Sequence, residues 1–224
     1  MKSLIKFAIP IALLIALYGC SKDDNSNPAQ PNNNSFRIVA TVNAFDSTQA
    51  AVSGSVTFTV TNNSTVTGVF HIVEPIDVTH NLTGIYVDTV NVLTASGSGY
   101  YFSGLLNDTT GFLQGTITGG ATGLVVGSLD EGNDNSSVAY CGSYLGSDSG
   151  NWNFTIEGSS LYGSHWNGSG GGGILTGTLS GNVITLYEEG APCGAGTRNG
   201  DNVSGTWHNP DNTETGTWGG SRCN

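Results

Sequence analysis

Apolar residues in this chain alternate with Ser, Thr and Asn along short runs, and each run stops at a turn-forming pair. Val56, Phe58 and Val60 alternate with Thr57 and Thr59; Trp152, Phe154 and Ile156 alternate with Asn153 and Thr155. A period of two puts such residues on one face of a β-strand and leaves the other face polar. Beyond residue 19, no segment of helical length shows the i, i+3, i+4, i+7 spacing of an amphipathic helix. Gly fills 34 positions and charged residues make up only 10%, so polarity comes from Ser, Thr and Asn, a strand-and-turn composition. The expected fold class is all-β.

Further strands are predicted at 69–73, 82–93, 100–106, 112–118 and 124–127, then at 138–145, 161–166, 174–179, 183–187, 203–208 and 215–218. Between them lie Asn-Asn, Asn-Asp, Gly-Asn and Asn-Gly pairs, which accept positive φ and close tight hairpins. Short hairpins make sequential strands antiparallel neighbours, so the expected topology is a meander. Closing each meander into a small barrel removes its exposed edges. An apolar-x-Gly step recurs at Val66-Thr67-Gly68, Leu82-Thr83-Gly84, Leu175-Thr176-Gly177 and Val203-Ser204-Gly205. Glycine inside a strand permits bending or leaves room for a large neighbour such as Trp207.

The chain also repeats itself. Ser53-Gly54-Ser55-Val56-Thr57-Phe58-Thr59-Val60 matches Ser149-Gly150-Asn151-Trp152-Asn153-Phe154-Thr155-Ile156, and each is followed by an x-Gly step, at Thr67-Gly68 and Tyr162-Gly163. Two related β units are therefore expected, at 36–128 and 138–224. The Tyr140-Cys141-Gly142, Trp152-Asn153-Phe154, Gly205-Thr206-Trp207 and Gly216-Thr217-Trp218 steps of the second unit resemble Gly- and Trp-rich β-repeat regions of uncharacterised bacterial envelope proteins. That resemblance implies no activity.

Ahead of the β units, Lys2 and Lys6 precede an apolar stretch at 7–18 that is short for a bilayer span. The stretch ends at Leu17-Tyr18-Gly19-Cys20. This resembles the lipobox of bacterial lipoproteins, which implies a signal peptide at 1–19 and acylation (palmitate among the chains) of Cys20 as the mature N-terminus. Ser21-Lys22-Asp23-Asp24 resembles the export signal of Bacteroidetes surface lipoproteins, implying an outer-membrane anchor with the protein facing the cell exterior. Residues 25–35 hold two prolines and no large apolar side chain, so 20–35 reads as the lipidated Cys and a disordered tether. Asp46-Ser47-Thr48, Asp88-Thr89-Val90 and Asp108-Thr109-Thr110 match the short acidic-hydroxyl motif for O-glycosylation known in the same bacteria.

Charge narrows the function classes. After loss of the signal peptide, four bases remain (Lys22, Arg37, Arg198, Arg222) against 17 acids. Four minus 17 gives a formal charge of −13, a surface that repels nucleic acids and anionic lipids. With no lysine after residue 22, Schiff-base chemistry and P-loop phosphate binding are excluded. Cys141, Cys193 and Cys223 remain for an oxidising compartment. Cys141 and Cys223 flank the second unit and are expected to pair across its first and last strands, leaving Cys193 as a thiol.

No segment carries a recognisable catalytic constellation. His71, His80, His165 and His208 lack metal-ligand spacing, and Gly-x-Ser-x-Gly is absent. Glu188 and Glu189 are adjacent on a strand, so their side chains point to opposite faces. The Gly-Ser-Gly-Gly-Gly-Gly run at 168–173 precedes a strand rather than a helix, unlike a dinucleotide fingerprint. Asp130-Glu131-Gly132-Asn133-Asp134-Asn135 has oxygen ligands without EF-hand spacing and reads as the connection between units. Trp152, Trp207 and Trp218 are expected in the core. Trp166, flanked by His165 and Asn167 beside the Gly-rich run, has the surroundings of a sugar-stacking platform.

These readings converge on a non-enzymatic, lipid-anchored surface protein that binds an extracellular glycan or protein, as an adhesin or accessory module. No catalytic residue, metal or cofactor is assigned. A polysaccharide-acting hydrolase or lyase, using convergent carboxylates or His165 and His208, is the alternative, with a purely structural envelope module as a third possibility.

Overall fold

The structure is a computed structural model that describes residues 35–62, 64–130, 132, 136–167, 171–209 and 211–224. The signal segment, Cys20, the export-like motif, the tether up to residue 34, most of the 131–135 connection and Gly168-Ser169-Gly170 lie outside the described residues.

Sixteen strands follow in order: β1 (Phe36–Phe45), β2 (Ala51–Val60), β3 (Thr65–Glu74), β4 (Val78–Val87), β5 (Val92–Gly97), β6 (Tyr100–Leu106), β7 (Phe112–Gly119), β8 (Thr122–Asp130), β9 (Val138–Gly146), β10 (Gly150–Glu157), β11 (Ser160–Asn167), β12 (Gly172–Ser180), β13 (Val183–Glu188), β14 (Ala191–Asn199), β15 (Asn202–His208) and β16 (Thr215–Arg222). Within β1–β8 and within β9–β16, each strand pairs antiparallel with its sequence neighbours. β1 closes on β8 and β9 closes on β16, giving two eight-stranded meander barrels. The all-β class, the meander and the two related barrel-like halves are those expected from the alternation. The repeat is visible in the register. Phe58 lies opposite Gly68 in the first barrel, and Phe154 lies opposite Gly163 in the second.

Two local readings are corrected. The predicted strand at 82–93 is a hairpin, with β4 and β5 joined by a turn at 88–91 where Asn91 takes φ +54°. β14 carries Ala191-Pro192-Cys193-Gly194-Ala195-Gly196 and had no strand signal, because Pro and Gly depress strand propensity. Tertiary packing overrides that preference: β14 is clamped by β13 and β15, and the Trp218 indole covers Gly196.

The lumens differ. In the first barrel the Phe58, Phe70 and Phe102 rings meet edge to face at 5.2–5.7 Å, among Val42, Val56, Leu82, Leu93, Leu113 and Ile117. Burying each Phe contributes roughly 1.5–3 kcal/mol, and this lumen is filled. In the second barrel, Val56 is replaced at the repeat-equivalent position by Trp152, which stacks on Phe154 at 4.6 Å and meets Trp218 at 5.2 Å. Strand glycines make that possible. A Cβ on Gly142 or Gly220 would strike Trp152, one on Gly196 or Gly205 would strike Trp218, and one on Gly216 would strike Trp207.

β1 and β10 are buried on both faces. Ile38, Ala40 and Val42 enter the first lumen, while Val39, Thr41 and Asn43 face the second barrel. Across the seam, Asn153 Nδ2 donates to Val42 O (2.6 Å), Asn43 Oδ1 (3.1 Å) and Ser53 Oγ (3.0 Å). Asn43 Nδ2 donates to Ser164 O at 2.8 Å. These groups are buried, so the network ties the two barrels in one register: shifting it would leave polar atoms unpaired, at about 1–3 kcal/mol each.

Cys141 and Cys223 form the disulfide, joining β9 to the segment after β16, and Cys193 is a buried free thiol. Ser55 Oγ and His71 Nδ1 both donate to Cys223 O, so the bridged C-terminal segment also rests on the first barrel. The bridge spans 82 residues, for which chain entropy gives about 4–5 kcal/mol. Cys141→Ser/Cys223→Ser is expected to lose up to about that much stability in urea titrations. Non-reducing peptide mapping is expected to show Cys141 joined to Cys223 and no bridge to Cys193.

Candidate functional site

The strand ends that flank 147–149, 168–171, 189–190 and 209–214 gather at one end of the second barrel because alternate turns of a meander share an end. Inside this end lies a cavity of about 230 Å³. Its floor is Trp152, Leu175, Leu186, Cys193 and Trp218; Tyr144, Trp207, His165 and His208 form the wall, and Asp148, Asn167, Glu188, Asn209 and Glu214 the rim.

Strand parity decides which side chains reach it. On β11, Leu161, Gly163, His165 and Asn167 turn inward, and Tyr162, Ser164 and Trp166 turn outward. His165 and Asn167 therefore line the cavity. Trp166 does not: its ring packs on Phe45 of the first barrel at 5.1 Å, in the seam. The platform expected from Ser164-His165-Trp166-Asn167 is split by the strand, since neighbouring residues face opposite ways. The aromatic surfaces offered to the cavity are instead Tyr144 and Trp207, which meet edge to face at 5.5 Å.

Three indoles donate their N–H groups to strand carbonyls, Trp152 to Ser143 (2.9 Å), Trp207 to Leu145 (3.2 Å) and Trp218 to Thr206 (3.0 Å). With the polar edge satisfied, each presents ring carbon to its surroundings. Asn167 Nδ2 donates to Asp148 Oδ2 at 3.0 Å, and Glu214 N donates to Asn209 Oδ1 at 3.0 Å. These bonds hold the rim.

His165 Nε2 donates to Glu188 Oε1 at 2.7 Å. Because a carboxylate accepts, Nε2 carries the proton. That hydrogen bond from His165 holds the Glu188 carboxyl below the ordinary glutamate range, against the opposing effect of burial. Burial, together with the charges of Asp148, Glu188 and Glu214, raises the Tyr144 phenol well above its usual value, so it stays neutral. Burial also pushes the Cys193 thiol up to about 12, which leaves it protonated and a poor nucleophile at neutral pH.

His165 and Glu188 sit on β11 and β13, with β12 between them. Gly173, paired with His165 in the ladder, is the gap through which they meet. A Cβ there would collide with Glu188 Oε1 and come within 3.0 Å of His165 Nε2. The last glycine of the 168–173 run is thus a spacer for an acid–imidazole pair. Sequence alone sets Glu188 only against Glu189 and gives no sign of Tyr144, Asp148, Glu214 or Asn209 at this site. Parity carries the missing signal for Glu188, since Ile184, Leu186 and Glu188 share a face, as Leu161, Gly163 and His165 do on β11.

No family model matches the chain, and no curated protein matches it.

Gly173→Ala is expected to displace the flexible Glu188 carboxylate rather than unfold the barrel. NMR titration should then show the Glu188 pKa rising toward or above the ordinary glutamate value. The parent pair contributes its full stability above that ordinary range and loses it as acid protonates the lowered carboxyl. In Gly173→Ala that pH-dependent contribution is expected to shrink.

Proposed function

We propose that this chain is a non-enzymatic, surface-anchored lipoprotein that binds an extracellular glycan through the open end of its second barrel. The carrying observation is the lined cavity in one barrel beside a lumen filled with side chains in the other. Small eight-stranded barrels hold side chains or one small ligand. A volume of about 230 Å³ is below the range of about 300–1,000 Å³ of drug-sized sites, which suits one residue of a glycan chain with the rest extending past the rim. Tyr144 and Trp207 supply stacking surface, and Asp148, Asn167 and Glu188 supply hydrogen-bonding groups around it. The lipobox-like segment and polar tether support placement on the outer face of the cell, with no nucleic-acid partner for so acidic a chain.

A second reading rests on one specific observation, the His165–Glu188 pair within the same cavity. A carboxylate that orients an imidazole is the arrangement of a general base, and it supports a hydrolase or lyase acting on polysaccharide. Because Cys193 is protonated and Tyr144 neutral, the attacking group in that reading would be water or a substrate hydroxyl.

A glycan array with the purified mature chain tests both. Trp207→Ala is expected to weaken any hit by about tenfold or more, a loss of 1.4 kcal/mol or greater, whereas Trp166→Ala should lower stability and leave binding largely intact. Incubation of the bound glycan with the protein is expected to release no product; turnover abolished by His165→Ala would establish the second reading. For the anchor, Cys20→Ala is expected to release the protein from membranes or leave it unprocessed, and protease added to intact cells should digest the parent protein.

A further inference from the structure

Charge in the second barrel is sorted by end. Asp148, Glu188, Glu189, Asp211 and Glu214 all lie on or beside the connections that ring the cavity. Arg198 and Arg222, the only arginines of this barrel, are near the ends of β14 and β16, strands that start at the cavity end and run away from it. Their backbone N–H groups bond Asn182 O and Asp201 O in turns of the opposite end. Among the described residues of this barrel, the opposite end also holds Glu157 and Asp201, which balance the two arginines, while the cavity end carries acids with no Lys or Arg anywhere in its four connections. A concave, low-dielectric mouth of one sign focuses its field and draws in ions of the other sign.

The walls match that sign. Neutral aromatic rings attract cations to their faces, and Tyr144 and Trp207 stand in the wall below the acidic rim. Asp148, Glu188 and Glu214 line the same cavity as Tyr144, and their charges add to burial in raising its phenol. His165 hydrogen-bonds Glu188 alone among the three.

Resting on the glycan reading above, we propose that the glycan residue entering the second barrel carries a protonated amine, an amino sugar rather than a neutral or acidic one. The ammonium sits among Asp148, Glu188 and Glu214, and the carbon face of the ring lies on the aromatic wall. N-acetylation removes the charge and with it this preference. Uronic acids are repelled.

Tryptophan fluorescence of the mature protein, titrated with a β-1,4-glucosamine tetramer, its N-acetylated counterpart, cellotetraose and tetragalacturonate, tests the proposal. At low ionic strength the amine tetramer is expected to bind about tenfold or more tighter than the N-acetylated and neutral tetramers, with the margin narrowing as salt screens the rim. Glu214→Gln should reduce the margin several-fold, and Asp201→Asn at the opposite end should leave it unchanged. Equal affinity for amine and neutral tetramers would overturn the amine preference and leave the glycan reading standing. Spermidine binding as tightly as the amine tetramer, with neutral tetramers silent, would support the cation site and overturn the glycan reading. Preferential binding of tetragalacturonate, or saturation by calcium ion alone with no amine response, would overturn the proposal, and silence from every probe would overturn both readings.

Discussion

An aromatic ring lying over a strand glycine is the contact on which this architecture depends. Eight short strands close a barrel too narrow for a large side chain at every inward position, so rings and glycines must alternate. The two halves solve this differently. In the first, Phe58, Phe70 and Phe102 interlock and fill the lumen. In the second, Trp152 and Trp218 occupy the middle by lying over Gly142, Gly220, Gly196 and Gly205, and above them the lumen stays open. One substitution between repeat positions, Val56 against Trp152, goes with this shift from filled to lined.

Polar groups fix the register between the barrels, beside apolar seam contacts such as Val39 with Ala139 and Phe45 with Trp166. β1 and β10 contribute their outward faces to the seam, and the polar groups buried there include Asn43, Ser53, Asn153 and Ser164. A purely apolar seam could slide. A hydrogen-bonded one cannot, because each displacement exposes an unpaired donor or acceptor to a dry environment. The C-terminal segment adds a second tie, with Cys223 bridged to Cys141 and its carbonyl accepting bonds from Ser55 and His71. Trp166, adjacent to cavity residues in sequence, belongs to this seam.

At the open end, geometry and electrostatics reinforce each other. A meander places every second turn at the same rim, so three connections far apart in sequence contribute acids to one mouth. Both arginines of the barrel are positioned two or fewer residues from the far ends of their strands. Gly173 then permits a contact across an intervening strand that any other residue would block. The result is a small cavity with a negative rim, neutral aromatic walls and one imidazole held by a carboxylate.

The alternation of apolar residues and the turn pairs determined most of the strands, their antiparallel order and the halving of the chain, since period-two patterning and tight turns are local properties. The spacing of Cys141 and Cys223 at the edges of the second half was enough to pair them. Local pattern failed at β14, where Pro192, Gly194 and Gly196 carry no strand preference and only neighbouring strands and the Trp218 ring impose one. It failed again at Trp166, where proximity in sequence suggested a shared site that strand parity forbids. Tertiary structure alone decided that His165 meets Glu188, that Asp148 and Glu214 approach the same tyrosine, and that one barrel is filled and the other lined. Those outcomes depend on which distant strands become neighbours and how much volume their side chains leave, and no short window of sequence contains either quantity.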